Sequence, residues 1–200
     1  SPGSLRANLC DKPGHPYHDH WLEGNVALTE DNQSLRAYWR VRFDGQSTPG
    51  ICAVCDITDN GEKLGYSFKM FYPLPGAQNH FHIIKDEQTG VYYMLSNLPT
   101  HSQTPDYGFG HGLRGGERRL MTLACSFDGM DWLPLGYTVI WPKMRQGSNY
   151  STPVIYGDDL LIITRTSRDA LNQHDNDLIT FHRIKNFRDL VKPLVMESFS

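Results

Sequence analysis

Several features are scarce in this 200-residue chain, and each scarcity excludes something. No apolar run approaches the roughly 18 residues that a membrane-crossing helix needs, so a membrane is not an expected partner. Charge of one sign is also lacking. Nineteen Lys and Arg face twenty-two Asp and Glu, a net charge of -3, so the basic footprint of a nucleic-acid binder is missing and no nucleic-acid partner is expected. Helical periodicity is nowhere sustained over a dozen residues, which points away from helical folds. Cysteine is sparse, at positions 10, 52, 55 and 125. Cys52 and Cys55 form a C-x-x-C inside Ile51–Ile57, which reads as a strand. Residues three apart on a strand point to opposite faces, so the pair is expected to be buried and structural rather than to chelate an ion or close a short disulfide. The redox compartment stays open.

Turn residues and strand formers are plentiful. Eighteen Gly and twelve Pro punctuate short runs rich in Val, Ile, Tyr, Phe and Trp, the pattern of an all-β sandwich, barrel or propeller. The repeat chooses among these. Asn25–Glu30 and Leu35–Phe43 form a hairpin, as do His80–Asp86 with Val91–Asn97 and Tyr150–Tyr156 with Leu160–Thr166. Each hairpin is followed by a third strand (Ile51–Thr58, Leu120–Phe127, Asp177–Ile184), and the first two by a fourth (Tyr66–Tyr72, Tyr137–Trp141). Four-stranded antiparallel units in series are β-propeller blades, here about 22–75, 78–142 and 148–200, the last incomplete. Three blades leave unpaired edges, and the chain begins at Ser1 without Met. It is therefore expected to be part of a ring of roughly five to seven blades.

Blade topology indicates where chemistry belongs. The start of each first strand and the end of each second strand lie on one face of the ring. Aligning the hairpins on their turns brings Glu23, Asn79 and Tyr150 to similar positions ahead of the first strands, with His80 and His82 beside Asn79. Arg40, Asn97 and Arg165 fall near the ends of the second strands. The long loop Leu98–Arg118, carrying His101, Tyr107, His111 and Arg114, is read as a lid or substrate wall over this mouth. The loop after Arg165, with Arg168, His174 and Asp175, sits beside it. Acid, imidazole, phenol and guanidinium converging on one concavity make a polar ligand site. Other readings are plainer. Tyr150 alone is commonly a half-buried strand aromatic, and His80 with His82 a satisfied polar pair. Arg118 and Arg119 read as a solvated strand start. His15, His18 and His20 around Asp19 lack a scaffold, and no metal or cofactor is expected.

Three segments carry a family resemblance. Ser126–Trp132 has the form S-x-D-x-x-x-W between a third and a fourth strand. It resembles, one residue short, the Asp-box turn of sialidases, and also the S-x-D-L-x-x-W turn of five-bladed glycosidases, a structural rather than catalytic element. Asn149-Tyr150-Ser151, a strand and the turn Gly157-Asp158-Asp159 resemble the segment that holds the sialidase nucleophile. His174–Leu190 is similar to the ending of bacterial sialidase-like propellers. The resemblance implies a carbohydrate-active enzyme, secreted or periplasmic, hydrolysing a glycosidic bond of an acidic sugar. Tyr150 would be the nucleophile and Glu23 its base, with Arg40 and Arg165 on the sugar carboxylate. Sialidases use three such arginines; Arg114 or a residue of a further blade would be the third. His80, His101, Tyr150 and Arg165 also resemble the proton-moving and carboxylate-neutralising set of propeller ulvan lyases, which implies elimination on a uronate instead. In both cases the partner is an acidic sugar or polysaccharide bound by Asn79, His82, Asn97, His101, Arg114 and His174. A non-catalytic glycan-binding propeller is the third reading, since fold does not dictate function.

Overall fold

The structure, a computed structural model, describes residues 20–42, 50–100 and 116–192. His101, Tyr107, His111, Arg114, Cys10, His15, His18 and Asp19 lie outside them.

The fold is all-β. Eleven strands form three antiparallel sheets in chain order, arranged as consecutive propeller blades. The first blade holds β1 (His20–Leu28), β2 (Leu35–Arg42), β3 (Ile51–Asp59) and β4 (Leu64–Pro73). The second holds β5 (His82–Lys85), β6 (Tyr92–Asn97), β7 (Leu120–Ser126) and β8 (Leu133–Ile140). The third holds β9 (Gly147–Tyr156), β10 (Asp159–Ser167) and β11 (Leu178–Ile184), followed by a 3₁₀ turn over Phe187–Leu190. The first strand of each blade turns into its second, and the third into the fourth where both are present, through tight turns carrying Asn32, Gly61, Gly90, Gly129 and Gly157, all with positive φ, whereas longer connections join each second strand to the third. β1, β5 and β9 are the innermost strands, β5 lying against both others.

Both faces of the middle blade are buried, which is why β6 and β7 read as near-continuous apolar runs instead of alternating ones. One core lies between the first and second blades, where Tyr38, Cys52 and Val54 meet Ile83, Tyr92, Met94 and Ala124. The other lies between the second and third, where Tyr93, Leu95 and Leu123 meet Leu160, Ile162 and Phe187. Each Val, Leu, Ile, Phe or Met among them contributes about 1.5–3 kcal/mol on burial, so the blades are held face to face mainly by the hydrophobic effect. Cys52, Cys55 and Cys125 are free, buried thiols, as expected of the first two.

One surface expectation fails. Arg118 is 6% exposed and donates to the Gly116 carbonyl, and the Arg119 guanidinium is 2.7 Å from the fully buried Glu117 carboxylate. Glu117 also accepts from the Thr100 amide and hydroxyl, so the pair of arginines anchors the base of a loop.

Candidate active site

The ladder registers identify equivalent positions without reference to sequence. Asn25 pairs with Tyr38, His82 with Leu95 and Thr152 with Ile163 at the same place in the three blades. Counting two residues back gives Glu23, His80 and Tyr150. Each blade thus presents one ionisable side chain from the same point at the entrance to its innermost strand. The hairpin alignment is off by one residue in the second blade: His80, not Asn79, is the partner of Glu23 and Tyr150.

Backbone irregularity aims two of these groups. In β9, Tyr150 and Ser151 together oppose the single residue Thr164, and in β1 Leu22 and Glu23 together oppose Arg40. Such bulges re-aim side chains at sheet rims. Tyr150 has φ 52, a left-handed backbone rare for an aromatic residue. The Thr164 hydroxyl holds it there, donating to the Asn149 carbonyl at 3.0 Å and accepting from Ser151 Oγ at 2.8 Å.

The side chains meet. Tyr150 Oη donates to Glu23 Oε1 at 2.9 Å across 127 residues of sequence. Arg40 Nη1 reaches Glu23 Oε2 at 3.1 Å. The His80 ring stacks on Tyr150, centroids 4.9 Å apart, and the Arg165 guanidinium lies 4.9 Å from the centre of the same ring. His174 approaches the phenol edge-on at 6.3 Å, with its Nδ1 3.3 Å from Asp175. Two imidazoles and a guanidinium therefore surround one phenol whose hydroxyl is bound to a carboxylate.

Electrostatics follow from burial and neighbours. Burial of Glu23 opposes its ionisation but is outweighed by its backbone hydrogen bond, the charge of Arg40 and the Tyr150 and Arg40 hydrogen bonds; its pKa falls below the usual value. Burial lowers the pKa of His80, against an opposing pull from Glu23, and lowers that of His82, against its hydrogen bond to the Ser151 backbone. His80 Nδ1 is buried with no hydrogen-bond partner. The site is thus a carboxylate beside a neutral imidazole at neutral pH.

Three expected ligand contacts prove to be scaffold. Asn97 is 2% exposed and spends its amide nitrogen on backbone carbonyls, including Ser148 of the next blade at 2.8 Å. Asn79 is fully buried with Nδ2 on the Glu117 carbonyl at 3.0 Å. Its equivalent Asn149, which the sequence marks only as the neighbour of Tyr150, does the same to the Gln173 carbonyl in the third blade at 3.0 Å. The repeated Asn directly before His80 and Tyr150 is the signal that marks this tie. Arg40 is 6% exposed and held between Glu23 and the Gln78 carbonyl, 2.9 Å from its Nε. It is engaged inside the protein, whereas Arg165 is partly open and anchored to Asn176 Oδ1 at 2.6 Å. His82 stands behind His80, with ring centroids 6.4 Å apart. Among the described residues, no group of three His, Cys, Asp or Glu is placed to hold a metal.

No protein-family model matches this sequence. No curated protein matches it either. Among solved structures, the levansucrase from Gluconacetobacter diazotrophicus is similar at a TM-score of 0.49 and 13% identity, over 89% of this chain and 46% of the levansucrase. The chain therefore spans about half the length of that protein.

Proposed function

We propose that the chain carries the reacting groups of a carbohydrate-active enzyme that hydrolyses a glycosidic bond of an acidic sugar. The observation that carries this reading is the 2.9 Å hydrogen bond from the Tyr150 phenol to Glu23. A phenol is a poor nucleophile until a carboxylate takes its proton, and Glu23 is placed to do so. The phenol oxygen then bonds to the anomeric carbon as the bond to the leaving oxygen breaks, and that oxygen takes a proton from solvent. Water next displaces the phenol oxygen, losing one proton to solvent, and Glu23 returns its proton to Tyr150. Arg40 orients Glu23, and Arg165 is left to pair with the sugar carboxylate. Resemblance of the Tyr150 segment to that of sialidases supports the same roles.

A second reading has its own support. His80 is half-buried, has its pKa lowered by that burial and stacks on Tyr150. A neutral imidazole suits proton abstraction beside a uronate carboxylate neutralised by Arg165, with Tyr150 moving the second proton. A screen against fluorogenic sialosides and uronate polysaccharides separates the two, because elimination leaves an unsaturated, ultraviolet-absorbing product. Loss of turnover in Glu23→Gln with retention in His80→Ala supports hydrolysis, and the reverse supports elimination. Saturable glycan binding without turnover, unchanged in Tyr150→Phe, would overturn both.

A further inference from the structure

The mouth lies at one end of the strands, and a second concavity lies at the other. A cavity of about 520 Å³ opens between the second and third blades, within the range of roughly 300–1,000 Å³ usual for small-molecule sites. Its walls come from the β5–β6, β7–β8 and β9–β10 turns and from the segment after β11, remote from the strand ends that carry Glu23, His80 and Tyr150. It shares no residue with the mouth, so what binds in it does not depend on the chemistry there.

Two observations mark the cavity as a ligand site. The first is a buried polar group left over. Tyr93 forms part of the wall and is 1% exposed, its ring set edge-on against Phe187 with centroids 4.8 Å apart. Its hydroxyl has no hydrogen-bond partner among the described residues and is not sealed from solvent. Tyr38 and Tyr92, equally buried, donate to backbone carbonyls at 2.8 and 2.6 Å, as buried polar groups ordinarily do. Burial pushes the Tyr93 phenol up to about 12, so at neutral pH it is a donor facing the cavity. The second observation is how the wall's polar groups are used. Its charges are spent on one another: Arg188 donates to Asp86 and Asp158, and Lys192 to Asp189. The carboxamides of Gln88 and Asn186, by contrast, have no partner among the described residues, and the Phe127 ring is 48% exposed beside them.

Paired charges offer little to an anion or a cation. A carboxamide both donates and accepts, as an alcohol does, and a phenyl ring offers a flat apolar surface to the C–H face of a sugar ring. We propose that this cavity binds a neutral hexose unit of a glycan, with Phe127 against its C–H face, Tyr93 donating to one of its oxygens and Gln88 and Asn186 meeting its hydroxyls. It is a non-catalytic sugar site on the face away from Glu23 and Tyr150, for uncharged sugars where the mouth is read as taking an acidic one. Calorimetric titration of the 200-residue chain with maltose, cellobiose and lactose tests this. At least one of them is expected to bind with a Kd on the order of 1 mM. Phe127→Ala, Gln88→Ala and Tyr93→Phe are expected to weaken that binding, the first by about tenfold or more, while Arg165→Ala in the mouth leaves it unchanged. Tyr93→Phe removes a hydroxyl that no described residue uses, and Gln88 sits at an exposed turn, so both variants are expected to keep the parent melting temperature. Absence of binding by all three sugars overturns the proposal. So does binding that survives Phe127→Ala and Tyr93→Phe but is lost in Arg165→Ala, which would put the sugar in the mouth. Binding of inorganic phosphate in place of the sugars overturns it as well.

Discussion

At the scale of the residue, the site rests on one strained backbone. Holding a tyrosine at φ 52 costs on the order of 1–3 kcal/mol, and the Thr164 hydroxyl is what the fold sets against it. Thr164→Val is expected to lower stability by about 1 kcal/mol in urea melts and to reduce kcat more than KM, while Thr164→Ser restores both. Tyr150→Phe removes only the reacting oxygen; turnover is expected to fall by about 10²–10⁴-fold with the melting temperature nearly unchanged. Acid sensitivity also originates here. His80, His82 and His182 are all lowered from 6.5 by burial, so below that pH the unfolded chain binds more protons than the folded one and stability falls. The contribution of Glu23 has the same protonation sense, its folded-state pKa also being lowered: it is present above 4.5 and is lost as pH drops through the folded value. Urea midpoints are therefore expected to fall between pH 7.5 and pH 5. Glu23 and Tyr150 were legible from their distance to the hairpin turns. The alignment on the turns points to Asn79, one residue before His80, because this stretch precedes β5, where no ladder fixes the count.

At the scale of the element, the S-x-D-x-x-x-W turn shows how a motif legible in the sequence can serve the scaffold and not the site: it lies at the end of β7 that pairs with Tyr92, away from the Asn97 end beside the mouth. Asp128 Oδ1 accepts from the amides of Met130 and Asp131 at 2.8 and 2.9 Å, and Ser126 Oγ accepts from the Gly129 amide at 2.9 Å. The finished turn docks on the neighbouring blade, where Tyr38 Oη donates to the Gly129 carbonyl at 2.8 Å and Tyr72 Oη to Asp131 at 2.6 Å. Gly129 has φ 74, and a Cβ there would lie 2.7 Å from the Tyr38 oxygen. Gly129→Ala is expected to cost about 2 kcal/mol, or roughly 4–8 °C in thermal melts, with turnover per folded molecule unaffected. The turn was readable from seven consecutive residues because its hydrogen bonds are local. Its role as a blade clasp was not, since Tyr38 and Tyr72 come from another sheet.

At the scale of the molecule, the blades are joined by two dry interfaces and a few buried polar ties. Arg188 grips Asp86 with two hydrogen bonds of 2.8 Å, linking the end of the third blade to a turn of the second. Asp86 is 2% exposed, so Arg188→Ala leaves a buried carboxylate without its cation. A loss of about 3 kcal/mol is expected, measurable in urea melts at pH 7 and smaller near pH 3, where the carboxylate protonates. The repeat itself was legible in the sequence, because runs of strand formers and the turn residues between them are features of neighbouring positions.

The sequence by itself determined the all-β class, the hairpin series and the order of the sheets, since these follow from short runs of strand-forming residues and turn chemistry acting over a few residues. Only the tertiary structure decided what the polar residues do. It set Glu23 against Tyr150 from 127 positions away, turned Arg40 inward to that carboxylate, and committed Asn79 and Asn97 to backbone carbonyls. The physical reason is that a polar side chain takes whichever partner its burial leaves within about 3 Å. That partner comes from packing between sheets, which no local pattern encodes.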